Sequence, residues 1–147
     1  MRLFARKTPW YSGGLAFECQ GCGGCCAGPQ EGYVWVTQDD VEAIAAHLRI
    51  PLQEMMTRYV RRVGRRMSLR EVTPTMDCIF LETAHDGQRQ CRIYSFRPTQ
   101  CRTWPFWPSN LGDPDDWALA GSRCVGINRG KQHDFKEIET RRNATRE

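Results

Sequence analysis

Cys19, Cys22, Cys25 and Cys26 crowd into the stretch CQGCGGCCAGPQ, residues 19–30. Thiolates are soft anionic donors, and this density of them points to metal ligation. Zinc takes four such ligands at about 2.3 Å per sulfur. Iron–sulfur clusters also take four thiolates, commonly with three drawn from a C-x2-C-x2-C run. The spacing permits either. Gly21, Gly23 and Gly24 lack a Cβ and let the backbone wrap tightly round an ion. Cys25 and Cys26 are adjacent, and neighbouring side chains diverge in extended chain. The pair is therefore expected to face two metals, or one metal and the interior. Cys78, Cys91, Cys101 and Cys124 bring the total to eight. Eight thiolates make two four-ligand sites, or one site with four spare cysteines. The spacing leaves open which cysteines share a site. The bland alternative for an isolated cysteine such as Cys78 is a small buried hydrophobe.

Arg92, Arg97 and Arg102 lie close in sequence to Cys91 and Cys101. Guanidinium groups beside thiolates offset charge and donate hydrogen bonds, so a supporting role around the metal is expected of all three. Surface solubility and an anionic partner are the alternatives. His47 is explained by the C-terminal end of a helix dipole. His85 is the one histidine considered as a substitute ligand, and His133 is expected to be exposed in a polar tail. There is no H-E-x-x-H, no G-x-S-x-G and no phosphate-loop motif. A cysteine nucleophile lacks a histidine at motif spacing, so no catalytic residue is assigned and a non-catalytic protein is expected.

The chain has 147 residues and a formal net charge of +4. That count treats thiols as neutral, and two tetrathiolate zinc sites would cancel it. The basicity is therefore a poor argument for a nucleic-acid partner. No apolar run suits a secretory signal or a membrane span. Eight cysteines without an export signal argue for free thiols in a reducing compartment, here the cytoplasm, rather than disulfides.

The elements that must carry these residues are short. Phe4, Trp10, Tyr11 and Phe17 are expected to anchor an irregular N-terminal segment. Tyr33–Val36 reads as a strand. Thr37 with Asp40 predicts an N-cap, followed by a helix whose Val41, Ile44, Ala45 and Leu48 share a face. Pro51 opens a second helix through Leu52, Met55, Met56 and Tyr59, extended by Val63. Short strands are expected at 65–72, 79–81 and 91–94, with a turn at Asp86-Gly87. Residues 95–110 hold at most a helical turn, and 115–120 a short helix. The tail beyond about 130 is polar and open to a helical reading, and its end is expected to fray. Trp10, Trp35, Trp104, Trp107 and Trp117 suit core or shielding positions, and 104–108 could cover a metal or a partner. These features predict one α+β domain over 1–147: two packed helices, short antiparallel strands and cysteine-rich loops.

With its motifs in order, the chain resembles the family of cysteine-cluster proteins described as zinc- or iron-chelating domains. The resemblance runs from CQGCGGCC through Thr37-x-x-Asp40-Val41, Asp77-Cys78-Ile79-Phe80-Leu81 and Cys91-Arg92-Ile93-Tyr94 with Arg97-Pro98. It closes at Cys101-Arg102-x-Trp104-Pro105-Phe106 and covers about residues 17–126. It implies chelation of zinc or iron. A flagellin lysine methylase linked to an iron–sulfur cluster has a related pattern, but no methyl-donor site is recognisable here. Metal binding through Cys19, Cys22, Cys25, Cys26, Cys78, Cys91, Cys101 and Cys124 is the expected function. The alternative is an iron–sulfur protein serving electron transfer or a redox enzyme.

Overall fold

The computed structural model describes residues 8–28 and 32–147. Phe4, and the end of the cysteine loop at Pro29 and Gln30, lie outside the described residues. The chain is α+β. Among the described residues, the strands form four small antiparallel sheets, and there are five α-helices rather than the two expected, the additional three lying in the second half of the chain. No described helix is long and apolar enough to cross a membrane.

The first half builds one hydrophobic core. Strand β2 (Trp35–Val36) leads into helix α1 (Gln38–Leu48). Thr37 caps this helix reciprocally: its Oγ1 accepts the Asp40 N–H at 3.1 Å, and Asp40 Oδ2 accepts the Thr37 N–H at 2.9 Å. Aspartate thus completes a capping box in which glutamate is the usual partner. Helix α2 (Leu52–Tyr59) stops at Tyr59, and strand β3 (Val60–Val63) begins directly. Val63 therefore does not extend the helix. Its β-branched neighbour Val60 pairs with Leu69 of β4 (Arg66–Leu69), where branched side chains pack well. The three-stranded sheet, ordered β2-β4-β3, carries Val36, Val60 and Leu69 into a core with Val41, Ile44, Met55, Tyr59, Phe80 and Ile93.

The expected strand over 65–72 breaks at Arg70. There the Arg70 N–H still bonds Tyr59 of the old partner, while the Arg70 carbonyl accepts the Ile79 N–H of the new one. Beyond this switch, β5 (Glu71–Val72) pairs with β6 (Asp77–Cys78), and β7 (Leu81–Thr83) pairs with β8 (Arg89–Cys91). The latter is the hairpin signalled by Asp86-Gly87, with Gly87 at φ 82. The strands expected at 79–81 and 91–94 are both shifted, because Ile79 and Phe80 form the turn between β6 and β7 and Tyr94–Phe96 is a 3-10 turn.

The second half builds a separate, aromatic core. It comprises Tyr11, Trp104, Phe106, Leu111, Trp117, Ala120, Cys124, Ile127 and Ile138. Its scaffold is β1 (Leu15–Phe17) paired with β9 (Ile127–His133), flanked by α4 (Pro114–Gly121) and α5 (Phe135–Ala144). Phe106 stacks on Trp117 with ring centroids 5.8 Å apart and meets Phe17 edge-on at 6.1 Å. The C-terminal segment is helical over most of its length, and it is packed down rather than merely polar. Ile138 is fully buried, and Thr145 is held by Arg141 O and Thr103 Oγ1. His133, expected to be exposed, is buried: Nε2 lies 2.9 Å from Phe17 O, and Nδ1 3.0 Å from Glu137 Oε1. The latter approach is close but poorly aligned for an N–H donor.

Helix α3 (Thr99–Thr103) joins the two cores, and is more than the single turn expected in this proline-rich stretch. Its Gln100 accepts the Trp35 N–H at 2.9 Å and donates to Tyr33 O at 3.0 Å, sealing the free edge of β2. Three residues on, Thr103 and Trp104 enter the aromatic core.

The cysteine loop runs from β1 in one core to β2 in the other, and two glycines clamp it. A Cβ on Gly24 would lie 2.1 Å from Arg123 O, and one on Gly28 would lie 1.8 Å from Thr75 O. Neither distance is tolerable, so only glycine permits these backbone approaches. Gly28 N–H also donates to Asp77 Oδ1 at 2.8 Å, and Arg89 Nε to Cys22 O at 2.9 Å.

Gly28→Ala should therefore cost about 1–3 kcal/mol in urea unfolding, because backbone rather than a side chain must give way. Gly13→Ala, with nothing within 4 Å of the added Cβ, should be near neutral. Equal stabilities for the two variants would disprove the clamp. A second expectation concerns pH. The Glu137 carboxyl is held below its usual range, first by the His133 contact and then by charge from Lys131 and Arg141. Its stabilising contribution is complete above the unfolded carboxylate pKa and is lost as pH falls through the folded value. The melting-temperature gap between the parent and Glu137→Gln should close on acidification; a gap unchanged through that range would refute the contribution.

Candidate metal centre

Four cysteines stand on four separate elements. Cys25 comes from the 3-10 turn Gly24–Cys26, Cys78 from β6, Cys91 from β8 and Cys101 from α3. Charge on some of them reaches others. The Cys101 thiol is pushed up by burial first, then by Cys78, Cys25 and Cys91. Cys78 is pushed up to about 11 by burial, with Cys91 and Cys25 adding to it. Cys91 is raised by burial, and Cys25 adds to that. Cys25 is raised first by its hydrogen bond with Cys26, then by burial and by the Cys26 charge. Part of Cys25 reaches the surface, yet protein crowds the rest of it closely enough to desolvate the thiol.

The expectation that Cys25 and Cys26 diverge is not met. The 3-10 turn folds them onto one side, with Sγ atoms 3.9 Å apart. Two sulfurs at about 2.3 Å from one tetrahedral ion would be about 3.8 Å apart. Adjacency is therefore compatible with a shared ion, because the backbone here is helical rather than extended. Gly23 starts this turn at φ 72, in the left-handed region that favours glycine.

The other cysteines differ. Cys19 is exposed, with Sγ accepting the Gly21 N–H at 3.4 Å. Cys22 Sγ accepts the Gly24 N–H at 3.4 Å, and Cys124 is buried in the aromatic core. These three are not among the thiols that shift the four. All eight cysteines are free. Among the described residues, no three cysteine, histidine, aspartate or glutamate side chains are drawn together at metal-holding geometry. The donor chemistry nonetheless suits zinc or iron: soft thiols, partly desolvated, with a cation beside them.

That cation is Arg97. Its charge draws down the Cys25, Cys91 and Cys101 thiols against their other influences. The guanidinium is fixed by bonds to Tyr94 O at 3.0 Å and Cys101 O at 3.3 Å, and it lies over the Tyr94 ring. Arg92 instead pairs with Glu82 at 3.2 Å, and Arg102 donates to Thr99 Oγ1 at 3.1 Å. His85 sits exposed on the β7–β8 hairpin loop, and His47 stacks on Phe96 with centroids 4.5 Å apart.

A cleft of about 230 Å³ adjoins the thiols. Cys25, Cys26, Cys78, Trp107 and Arg123 contribute to its walls. Trp107 is locked there by its indole bond to Gln100 O at 2.8 Å and by an edge-on contact with Trp104 at 4.8 Å. The aromatic run at 104–108 thus serves both as core and as a wall beside the cysteines. Gln100 and Arg89 carried no signal in the sequence, since their roles are backbone contacts to distant segments.

The pattern of the family described as "CxxCxxCC: Putative zinc- or iron-chelating domain" matches residues 18–140. An uncharacterised protein of Methanocaldococcus jannaschii is 39% identical over 141 residues, covering 90% of this chain and 72% of the relative. No solved structure matches. The cysteine spacing and the extent of these matches agree: the chain belongs to the CxxCxxCC family of zinc- or iron-chelating domains.

Proposed function

We propose that this protein chelates zinc or iron through a four-thiolate site made by Cys25, Cys78, Cys91 and Cys101. The observation that supports it is that the Cys101 thiol is raised by Cys78, Cys25 and Cys91, and the Cys78 thiol by Cys91 and Cys25, although these residues come from distant points in the chain. Without metal, four partly desolvated thiols crowd one another and retain their protons. A divalent cation removes that conflict by displacing the protons and neutralising the thiolates. Arg97 offsets the residual negative charge of a tetrathiolate centre. Bound metal would also cross-link the 3-10 turn, two hairpin strands and α3, so chelation would stabilise the junction between the two cores.

Cys26 stands at the edge of this set, close enough to replace Cys25 or to share an ion with it. Cys19, Cys22 and Cys124 are the donors proposed for a second site. No nucleophile–base pair accompanies the thiols, and a binding module without catalysis of its own is the simplest role. Free thiols suit a reducing compartment, which places the protein in the cytoplasm in this reading. An iron–sulfur cluster on the same ligands is the alternative occupant.

Anaerobic purification followed by metal and acid-labile sulfide analysis tests the proposal. Zinc or iron should be bound, and sulfide equal to iron would identify the cluster form. Cys78→Ser and Cys101→Ser should each remove one metal equivalent, whereas Cys19→Ser should leave that equivalent in place. A chelator should lower stability by about 4 kcal/mol if metal was present at a thousand times its Kd. A metal-free protein that gains no metal on reconstitution would overturn the function. Full metal content in Cys78→Ser or Cys101→Ser would overturn the ligand set.

A further inference from the structure

A second cleft, of about 450 Å³, opens on the other side of Trp35 from the cysteines. Four arginines line it: Arg62, Arg65, Arg66 and Arg146. Three of these come from the β3–β4 hairpin, whose turn is tightened by Gly64 at φ 62. That turn brings Arg62, Arg65 and Arg66 to one end of the sheet. Arg146 arrives from the opposite end of the sequence. It is set in place by Thr145, whose hydroxyl is held by Thr103 Oγ1 at 2.6 Å and Arg141 O at 2.8 Å.

Gathering four guanidinium groups costs Coulomb energy unless something negative meets them. Among the described residues, none of the four has a side-chain carboxylate within ion-pair distance. Asp40 is the only acid in the lining, and its Oδ2 is engaged by the Thr37 N–H in the helix cap. Arg66 lies over the Trp35 ring at 3.7 Å and donates to Glu147 O at 3.4 Å, which orients it. Thr37 and Thr99 add hydroxyl donors to the wall. The cleft has small-molecule dimensions, well beyond one phosphate. Guanidinium forks match phosphate oxygens two at a time.

We propose that this cleft binds a polyphosphate group, the chemistry carried by nucleoside triphosphates and by free polyphosphate. The site is distinct from the thiols and does not depend on the metal reading. Trp35 and Gln100 line both clefts and are the wall between them.

Calorimetric titration of the full chain with inorganic tripolyphosphate, adenosine triphosphate and orthophosphate tests it. Tripolyphosphate should bind at least about tenfold more tightly than orthophosphate, and its affinity should fall with added salt. Similar affinity for the nucleotide would mean that phosphates carry recognition; tighter nucleotide binding would mark it as the source. Arg65→Ala, at an exposed turn, and Arg65→Ala combined with Arg146→Ala should each weaken tripolyphosphate binding, by about tenfold or more in the double variant. Arg58→Ala, which removes the exposed Arg58–Glu54 pair and a contact over the Tyr59 ring but no residue of the cleft, should not. The proposal is overturned if tripolyphosphate does not bind, or binds equally to the parent and the folded double variant. It is equally overturned if only a single-stranded RNA oligomer binds.

Discussion

The close approach of the cysteine loop to two distant carbonyls is the constraint on which the site depends. Gly24 rests on Arg123 O and Gly28 on Thr75 O. Each contact lies next to another cysteine: Arg123 precedes Cys124, and Thr75 is three residues before Cys78. The glycines therefore do more than let a loop turn. They remove the side-chain thickness that would hold the loop away from the segments carrying its partner thiols. The hydrogen bonds Gly28 to Asp77 and Arg89 to Cys22 then fix the loop's position along those segments.

A loop held this way needs rigid walls on both sides, and the fold supplies two cores rather than one. The aliphatic core under α1 and α2 supports β6 and β8, with Cys78 and Cys91 packed against its edge. The aromatic core holds Cys124 and anchors the aromatic run that ends at Trp107. Helix α3 bridges them and contributes Cys101, so the thiols lie at the junction. Their mutual repulsion as thiolates and their partial burial make the metal-free set reluctant to ionise. Arg97 eases this without abolishing it.

Much of this was legible from the chain. The Thr37–Asp40 cap, the apolar face of α1, the Asp86-Gly87 hairpin and the eight candidate thiols follow from local chemistry and periodicity. The errors occurred where partners are remote. The strand expected through Arg70 breaks because its hydrogen bonds change hands there. Val63 looked like the next turn of α2, but pairing with β4 outweighs weak helical periodicity. His133 and the tail looked solvent-bound because their residues are polar; α5 and β9 bury them against Phe17 and Phe106 all the same.

The sequence by itself determined the donor chemistry: soft thiols, glycines where the chain must come close, and a cysteine pattern specific to one family. Local residue types are sufficient for that, because ligand softness and backbone freedom belong to each residue. Tertiary structure alone decided how the thiols are set. It turned Cys26 to the same side as Cys25, buried Cys124 in the aromatic core, and let the Arg97 charge act on the Cys25, Cys91 and Cys101 thiols. Those outcomes depend on carbonyls and cores far away along the chain, and no spacing between neighbouring residues encodes them.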